Sequence, residues 1–263
     1  MRIGGSVAIV TGASSGIGAA VAIDLARRGA RVVAVARRAD RLAETVAACE
    51  SAGSEAIAHA ADVSSRSACD GVVAAANDRF GPVDILVNNA GISLRRHAAR
   101  TSVEEIEEVV AVNLLGPAYL ATAVLPAMLE RRRGSIVNIT SVAGYVPTPR
   151  ESMYGATKAA LSHWSHVLAI DLHGTGVHVG VVSPGPIATE IWDKDAEPAT
   201  YEGKLYPPEL VAEAVAESIE RERVHLTVPR RFGVVGALYP ILQRPMRWGL
   251  RRFEERGHAP DVT

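Results

Sequence analysis

The sequence predicts an α/β fold: one domain on a doubly wound, mostly parallel sheet of seven strands with helices on both faces. Three observations point there. Short, continuously apolar runs alternate with helical stretches along the chain, as strands covered on both faces require. The first run, Val7-Ala8-Ile9-Val10, leads straight into a glycine-rich turn and then a helix to Arg28, the strand–turn–helix order of a dinucleotide fingerprint. No internal repeat or low-complexity linker divides the 263 residues, of which 48% are hydrophobic. That is enough for one large core.

The elements follow in order. The turn carries Gly12-x-x-x-Gly16-x-Gly18, and glycines there let the backbone approach a pyrophosphate resting on the helix N-terminus. A second strand, Arg31–Ala36, ends at Arg37-Arg38, and a helix runs to about Ala52. The third strand, Ala56–Ala61, ends at Asp62-Val63, and a helix leads to Phe80. Val83–Val87 is a fourth strand, ending in Asn88-Asn89-Ala90-Gly91. A long apolar helical region covers about Val103–Arg132, and Ser135–Thr140 is the fifth strand, with Ser141 at its carboxyl end. A helix bearing Tyr154 and Lys158 runs to about His173. Val177–Val182 is the sixth strand, Pro207–Arg221 a helix with proline at its start, and Val224–Val228 the seventh strand. Residues 1–230 make up the predicted domain and 231–263 a basic amphipathic tail.

Composition excludes several functions. A net charge of −1 offers nucleic acid no general attraction. Cys49 and Cys69, the only cysteines, both fall in helical stretches, which argues against a disulfide scaffold and for buried free thiols in a reducing, cytoplasmic setting. The first apolar run is too short for the core of a signal peptide. Val109–Leu129 is free of charge for 21 residues, long enough to span a bilayer. It contains Asn113, Pro117, Thr122 and Pro126, however, and lies between soluble elements, so a buried helix is expected.

The chemistry centres on Tyr154-Gly155-Ala156-Thr157-Lys158. Positions four apart on a helix share one face, so phenol and ammonium point into the same space. A free phenol keeps its proton to about pH 10, and a neighbouring cation pulls that value down. Ser141 stands where open α/β sheets place reactive groups. Six tyrosines and three lysines in 263 residues would give about 0.07 such pairs by chance. His163 and His166 lie three apart on the same helix, but no third ligand of metal-site spacing accompanies them, and no metal is expected.

Taken together, these residues resemble the short-chain dehydrogenase/reductase family of Rossmann-fold oxidoreductases. The matching set is Thr11–Gly18, Asp62, Asn88–Gly91, Asn113, Ser141, Tyr154, Lys158 and Pro184-Gly185 with Thr189, in the family's order. The resemblance implies NAD(P)-dependent interconversion of a carbonyl and an alcohol. It implies that Gly12, Gly16, Ile17 and Gly18 line the pyrophosphate, and that Asp62 and Val63 meet the adenine. Asn89, with Ala90 and Gly91, would close the adenosine side, and Pro184 and Gly185 would flank the cofactor. Ile187 and Thr189 would contact the carboxamide. Tyr154 would be the acid/base, Ser141 would hold the reacting oxygen, Lys158 would take the ribose hydroxyls, and Asn113 would anchor a water that relays protons from Lys158.

Cofactor choice turns on the end of the second strand. There, NAD-using relatives carry an acid that accepts from the ribose 2′-hydroxyl, and this chain has Ala36. Arg37 and Arg38 follow, and Ser14 and Ser15 offer hydroxyls from the other side. A guanidinium suits a 2′-phosphate, so NADP is expected over NAD, with Arg37 carrying most of the preference.

The expected substrate walls are Ser93–His97, Tyr145–Met153 and Glu190–Tyr206. Tyr145, Val146, Pro147, Met153 and Trp192 favour an apolar, fairly bulky carbonyl or alcohol. A homodimer or homotetramer is expected. The rival readings are a non-catalytic cofactor-sensing module and an epimerase or dehydratase on the same Tyr/Lys pair. In the tail, Val235, Leu238, Leu242, Met246, Leu250 and Phe253 recur at helical spacing among arginines. Two readings stand: an arm packed on the domain or on a neighbouring subunit, the favoured one, and a broken amphipathic segment on an anionic membrane surface.

Overall fold

The computed structural model of the chain describes residues 1–192, 201, 203–239, 241–246, 248 and 249. Its strands are β1 (Val7–Thr11), β2 (Arg31–Ala36), β3 (Ala56–Ala60), β4 (Ile85–Asn88), β5 (Gly134–Ile139), β6 (Val177–Pro184) and β7 (His225–Val228). Its helices are α1 (Gly16–Arg27), α2 (Ala39–Ser51), α3 (Arg66–Phe80), α4 (Val103–Val110), α5 (Gly116–Glu130), α6 (Ser152–Asp171), α7 (Glu209–Arg221) and α8 (Arg231–Leu238). The strands form one seven-stranded sheet in the order β3-β2-β1-β4-β5-β6-β7, parallel throughout. The chain winds outward from β1 to β3, crosses back to β4 and winds on to β7. At that reversal, between β1 and β4, the crossovers part and leave a crevice beyond the strands' carboxyl ends.

Both faces of the sheet are covered, which is why its strands read as unbroken apolar runs. Side chains alternate along a strand. Val7 and Ile9 of β1 therefore join Val72, Leu120, Val124 and Met128 on the α3/α5 side. Ala8 and Val10 join Leu25, Val211, Val215 and Ile219 on the α1/α7 side. Each of the Val, Leu, Ile and Met side chains among them contributes about 1.5–3 kcal/mol when fully buried. The boundaries expected from sequence lie close to those observed. β4 starts two residues later than expected, yet Asp84 already pairs with both neighbouring strands through its backbone, its N donating to Val7 O at 2.9 Å and its O accepting from Ser135 N at 2.8 Å. Its carboxylate accepts from Val7 N at 3.1 Å and from Arg131 Nη1 at 2.8 Å.

The long apolar region Val103–Glu130 is long and apolar enough to cross a membrane by length and composition. It is α4, a π-helical turn (Ala111–Leu115) and α5, and it sends Val112, Leu120, Val124 and Met128 into the core, as the sequence reading expects. The tail begins as part of the domain. A Cβ at Gly236 would run into the Tyr145 ring, so only glycine lets α8 lie this close to the turn after β5. Leu250 and Phe253, expected in the tail's stripe, lie outside the described residues.

Candidate active site

A cleft of about 750 Å³ opens beyond the carboxyl ends of β1, β4, β5 and β6. At its edge run Gly12 and Ser14–Ile17 from the turn after β1, then Ala36, Arg37 and Arg38, then Val63 and Asn89–Gly91. Ser141, Tyr154, Lys158, Pro184, Gly185, Ile187 and Thr189 complete that edge. Of the residues singled out from sequence, Gly18, Asp62 and Asn113 do not line it: Gly18 and Asn113 are buried, and the Asp62 side chain is 45% exposed at the surface.

Gly18 stands back because it is a packing residue: a Cβ there would strike Gly12 O, with Asn89 Nδ2 only 2.5 Å away. Gly12 has φ +64° and Gly16 φ +53°, the left-handed region that glycine occupies without strain. A Cβ on Gly16 would sit 2.8 Å from Thr189 Cγ2. Asn89 ties this turn to β4, donating through Nδ2 to Thr11 O at 2.9 Å, while Thr11 Oγ1 accepts from Asn89 N and Ala90 N at 3.0 Å each. The first turn of α1, Gly16 and Ile17, faces the cleft with no side-chain cap. Uncapped N–H groups beside a glycine cradle fit a pyrophosphate.

At the adenosine end the two arginines part company. Successive residues leaving a strand point to opposite sides. Arg38 reaches across the turn, donating through Nη2 to Ser15 Oγ at 2.9 Å and Ser14 Oγ at 3.2 Å. Its Nη1 donates to Glu190 Oε2 at 3.1 Å, and Arg41 Nη2 meets the other Glu190 oxygen at 3.4 Å. Arg37 instead leans to Asp62 at 3.9 Å, with both side chains largely exposed. Burial alone would raise the Asp62 carboxyl, but two bonds from Ser64 and the Arg37 charge outweigh it and hold the group below its ordinary range. The hydroxyl-bridged guanidinium is thus that of Arg38, where the sequence had put Arg37 first.

At the other end, α6 turns Tyr154 and Lys158 to one side. Lys158 Nζ lies 5.9 Å from the Tyr154 ring centroid and donates to Ile139 O at 3.0 Å. Burial pushes the Lys158 ammonium down to about 8. Ser141 Oγ accepts from Ala143 N at 3.1 Å, which fixes the hydroxyl and leaves its proton to donate. Asn113 is fully buried in the π-helical turn. Its Oδ1 accepts from Ile92 N at 2.8 Å, and its Nδ2 donates to Ile92 O at 2.9 Å and Thr157 Oγ1 at 3.2 Å. It braces the loop after β4 against α6, beside Lys158.

The Lys158 ammonium makes stability depend on pH. Between pH 8 and 10.5 the unfolded chain holds that proton and the folded chain does not, so stability rises with pH. Cys49 and Cys69, pushed up to about 11 by burial, work the other way above pH 9, where an unfolded thiol loses its proton first. The clean window is pH 8 to 9. There the unfolding free energy of the cofactor-free protein is expected to rise by about 1 kcal/mol relative to Lys158→Met. Urea melts of the two proteins at both pH values measure it, and parallel curves would refute a buried, partly neutral lysine.

All three expected wall segments reach the cleft, through Ser93 and Arg95, Thr148 and Glu151, and Glu190–Trp192 with Tyr201, but most of the apolar side chains singled out do not. Tyr145, Val146, Pro147 and Met153 do not line the cleft. Tyr145 turns outward, its hydroxyl 3.2 Å from Thr227 Oγ1 and its ring edge-on to His225. What lines that side instead is Arg95, only 3% exposed, paired with Glu151 at 3.3 Å and lying 5.6 Å from the centre of the Trp192 ring. Ile92, Val142, Ile191, Trp192, Tyr201 and Phe232 supply the apolar part. The Glu190–Tyr206 wall falls partly outside the described residues. Phe232 and Glu108 were not legible from sequence, since a single residue on a distant helix carries no local signal. His166 stacks on His225 with ring centres 5.1 Å apart, and among the described residues no three His, Cys, Asp or Glu side chains gather as metal ligands would.

Comparison with known proteins places this geometry. The family model for short chain dehydrogenases matches residues 6–199. The ketoacyl reductase HetN of Nostoc sp. is 37% identical over 225 residues, covering 85% of this chain and 78% of the relative. A short-chain dehydrogenase from Sphingobium yanoikuyae, solved with NADPH, superimposes with a TM-score of 0.80 at 30% identity over 98% of this chain and 100% of that one. A 3-ketoacyl-(acyl-carrier-protein) reductase from Brucella melitensis, solved with NADH, gives 0.79 at 30% identity over 87% and 99%. With a family match across most of its length, a seven-stranded sheet in common and the cleft at the sheet's reversal, the chain belongs to the short-chain dehydrogenase family of oxidoreductases.

Proposed function

We propose that the chain interconverts a ketone or aldehyde and an alcohol with NADP(H), on an apolar substrate and with Tyr154 as the acid/base group. The observation that carries this is one cleft holding Ser141, Tyr154 and Lys158 at one end and the Arg38–Ser14–Ser15 cluster at the other. Bound between them, the nicotinamide would supply or accept the hydride. Tyr154 gives its proton to the carbonyl oxygen, or takes it from the alcohol in reverse. Ser141 donates to the same oxygen and holds it in line. Lys158, as a cation, favours the phenolate of Tyr154 and takes the ribose hydroxyls. Asn113 anchors a water that connects Lys158 to solvent. Ile187 and Thr189 hold the carboxamide, while Gly12, Gly16, Ile17 and Asn89–Gly91 hold the rest of the cofactor, with Val63 and Asp62 at the adenine.

Arg38 supports NADP over NAD, and the strand end itself carries the neutral Ala36 in place of an acid, although a 2′-phosphate has to displace Glu190 from Arg38. The relatives bind either form, so this choice rests on the chain's own residues. Arg95 and Glu151 cancel one another's charge, and the apolar lining around them supports a hydrophobic substrate. Val167 and Ile170, exposed on α6, support a homodimer or homotetramer. Two free buried thiols support a reducing, cytoplasmic setting. The test is a panel of ketones and alcohols with both cofactors. One NADPH consumed per alcohol formed, with apolar ketones preferred, is the expected result. Product formed without net cofactor turnover would replace this reading with an epimerase or dehydratase.

A further inference from the structure

The start of the tail is pinned on one side and bare on the other. Of the fourteen exposed large apolar side chains among the described residues, six fall between Val234 and Trp248. Val234 is 60% exposed, Ile241 78% and Trp248 59%. Val234, Val235, Leu238, Ile241 and Leu242 recur at the spacing of one helical face. α8 ends at Leu238, and Ile241 and Leu242 lie in the turn after it, where bonds from Tyr239 N to Val235 O (3.0 Å), Ile241 N to Leu238 O (3.1 Å) and Leu242 N to Leu238 O (2.9 Å) keep the chain coiled on the same side. Rolling the segment would not bury the stripe without loss, because its other side is already used: Phe232 lines the cleft and Gly236 sits on Tyr145.

Charge names the occupant. From Arg230 to Arg252 the sequence carries six arginines and no acid, while the whole chain carries −1. Of these, Arg230 is 84% exposed while reaching Glu217 at 3.6 Å, Arg244 is exposed, and Arg247, Arg251 and Arg252 lie outside the described residues. A second copy docking by a twofold axis would set this basic rim against itself, because such a contact pairs a patch with its own image. A bilayer with anionic headgroups neutralises the rim and takes the apolar stripe, with a tryptophan at the boundary where interfacial tryptophans sit. We propose that the face formed by Val234, Val235, Leu238, Ile241 and Leu242 docks the enzyme on an anionic lipid surface. Since Phe232 on the same helix lines the cleft, docking sets the cleft's mouth beside lipid, where an apolar carbonyl compound partitions. That last consequence rests on the apolar-substrate reading; the docking does not.

The test is co-flotation of the full-length protein with phosphatidylcholine vesicles, with and without about one-third phosphatidylglycerol, at low and high salt. Binding to the anionic vesicles at low salt is expected, falling at least about tenfold with neutral vesicles or at high salt. The emission of Trp248, taken as the difference from Trp248→Phe, should shift to the blue on binding. Val234→Asp with Ile241→Asp should abolish flotation while the melting midpoint and the turnover of a water-soluble ketone stay unchanged. No vesicle-bound fraction overturns the proposal, as does binding that survives both aspartates. An oligomer that the aspartates dissociate, with no vesicle binding by wild type, overturns it in favour of a contact between copies. Turnover of the soluble ketone by wild type, measured alongside, shows whether the enzymatic reading itself stands.

Discussion

Tyr154→Phe is expected to lose between about 10² and 10⁴ in kcat while NADPH affinity changes by less than about twofold. The substitution removes one oxygen from a half-buried ring and leaves the ring's packing on α6 in place. What disappears is the proton that the reacting oxygen needs as it gains charge. Lys158 does not replace it, since its Nζ is held by Ile139 O at 3.0 Å, on the backbone side of the cleft. Ser141 keeps its hydroxyl, but an alcohol is far too weak an acid to protonate the oxygen at neutral pH. Because phenylalanine leaves binding untouched, the loss should fall on kcat and spare KM. Steady-state kinetics with a cofactor titration separates the two. A variant within a factor of a few of wild type would remove Tyr154 from the mechanism.

Arg38→Ala is expected to reduce the ratio of kcat/KM for NADPH over NADH by about tenfold, with Arg37→Ala doing clearly less. A charge-assisted bond is worth about 1.5–3 kcal/mol when sheltered, which would allow up to roughly 150-fold. Two features hold the effect to the lower end. The Arg38 side chain is 39% exposed, so salt screens it, and a phosphate must compete with Glu190, already 3.1 Å from Nη1. Arg37 matters less because it is 61% exposed and turned to Asp62 at 3.9 Å. Cofactor competition at low and high salt checks this. Equal efficiency with the two cofactors in wild type, or a preference untouched in Arg38→Ala, would make these arginines surface charge only.

Much of the architecture was legible because a doubly covered sheet leaves a strong mark on sequence. Each strand is an apolar run, as in Val7–Thr11, and each ends in a turn whose composition is unusual for a reason, such as the glycines at 12, 16 and 18. Tyr154 and Lys158 were legible for the same kind of reason, since helical spacing alone fixes their shared face. The rest depended on contacts between distant segments. Arg37 and Arg38 are neighbours of identical chemistry, and only the path of the chain leaving β2 decides which one meets Ser14 and Ser15. Tyr145 stands beside the cleft in sequence yet turns away, because Gly236 and Thr227, some ninety residues further on, offer its ring and hydroxyl a better place. Arg95 and Glu151 were within the expected walls, but nothing local says that they would be buried together as an ion pair.

In the proposed reaction this cleft moves a hydride between the nicotinamide and a carbonyl carbon while Tyr154 moves the proton. NADPH with both hydrogens of the hydride-yielding ring carbon replaced by deuterium, supplied with any ketone the enzyme reduces, follows that hydride whichever face delivers it. The expected product carries the deuterium on its carbinol carbon, one per cofactor oxidised, and Tyr154→Phe forms it slower by about 10²–10⁴. Product free of deuterium, or formed with no cofactor oxidised, would contradict the claim.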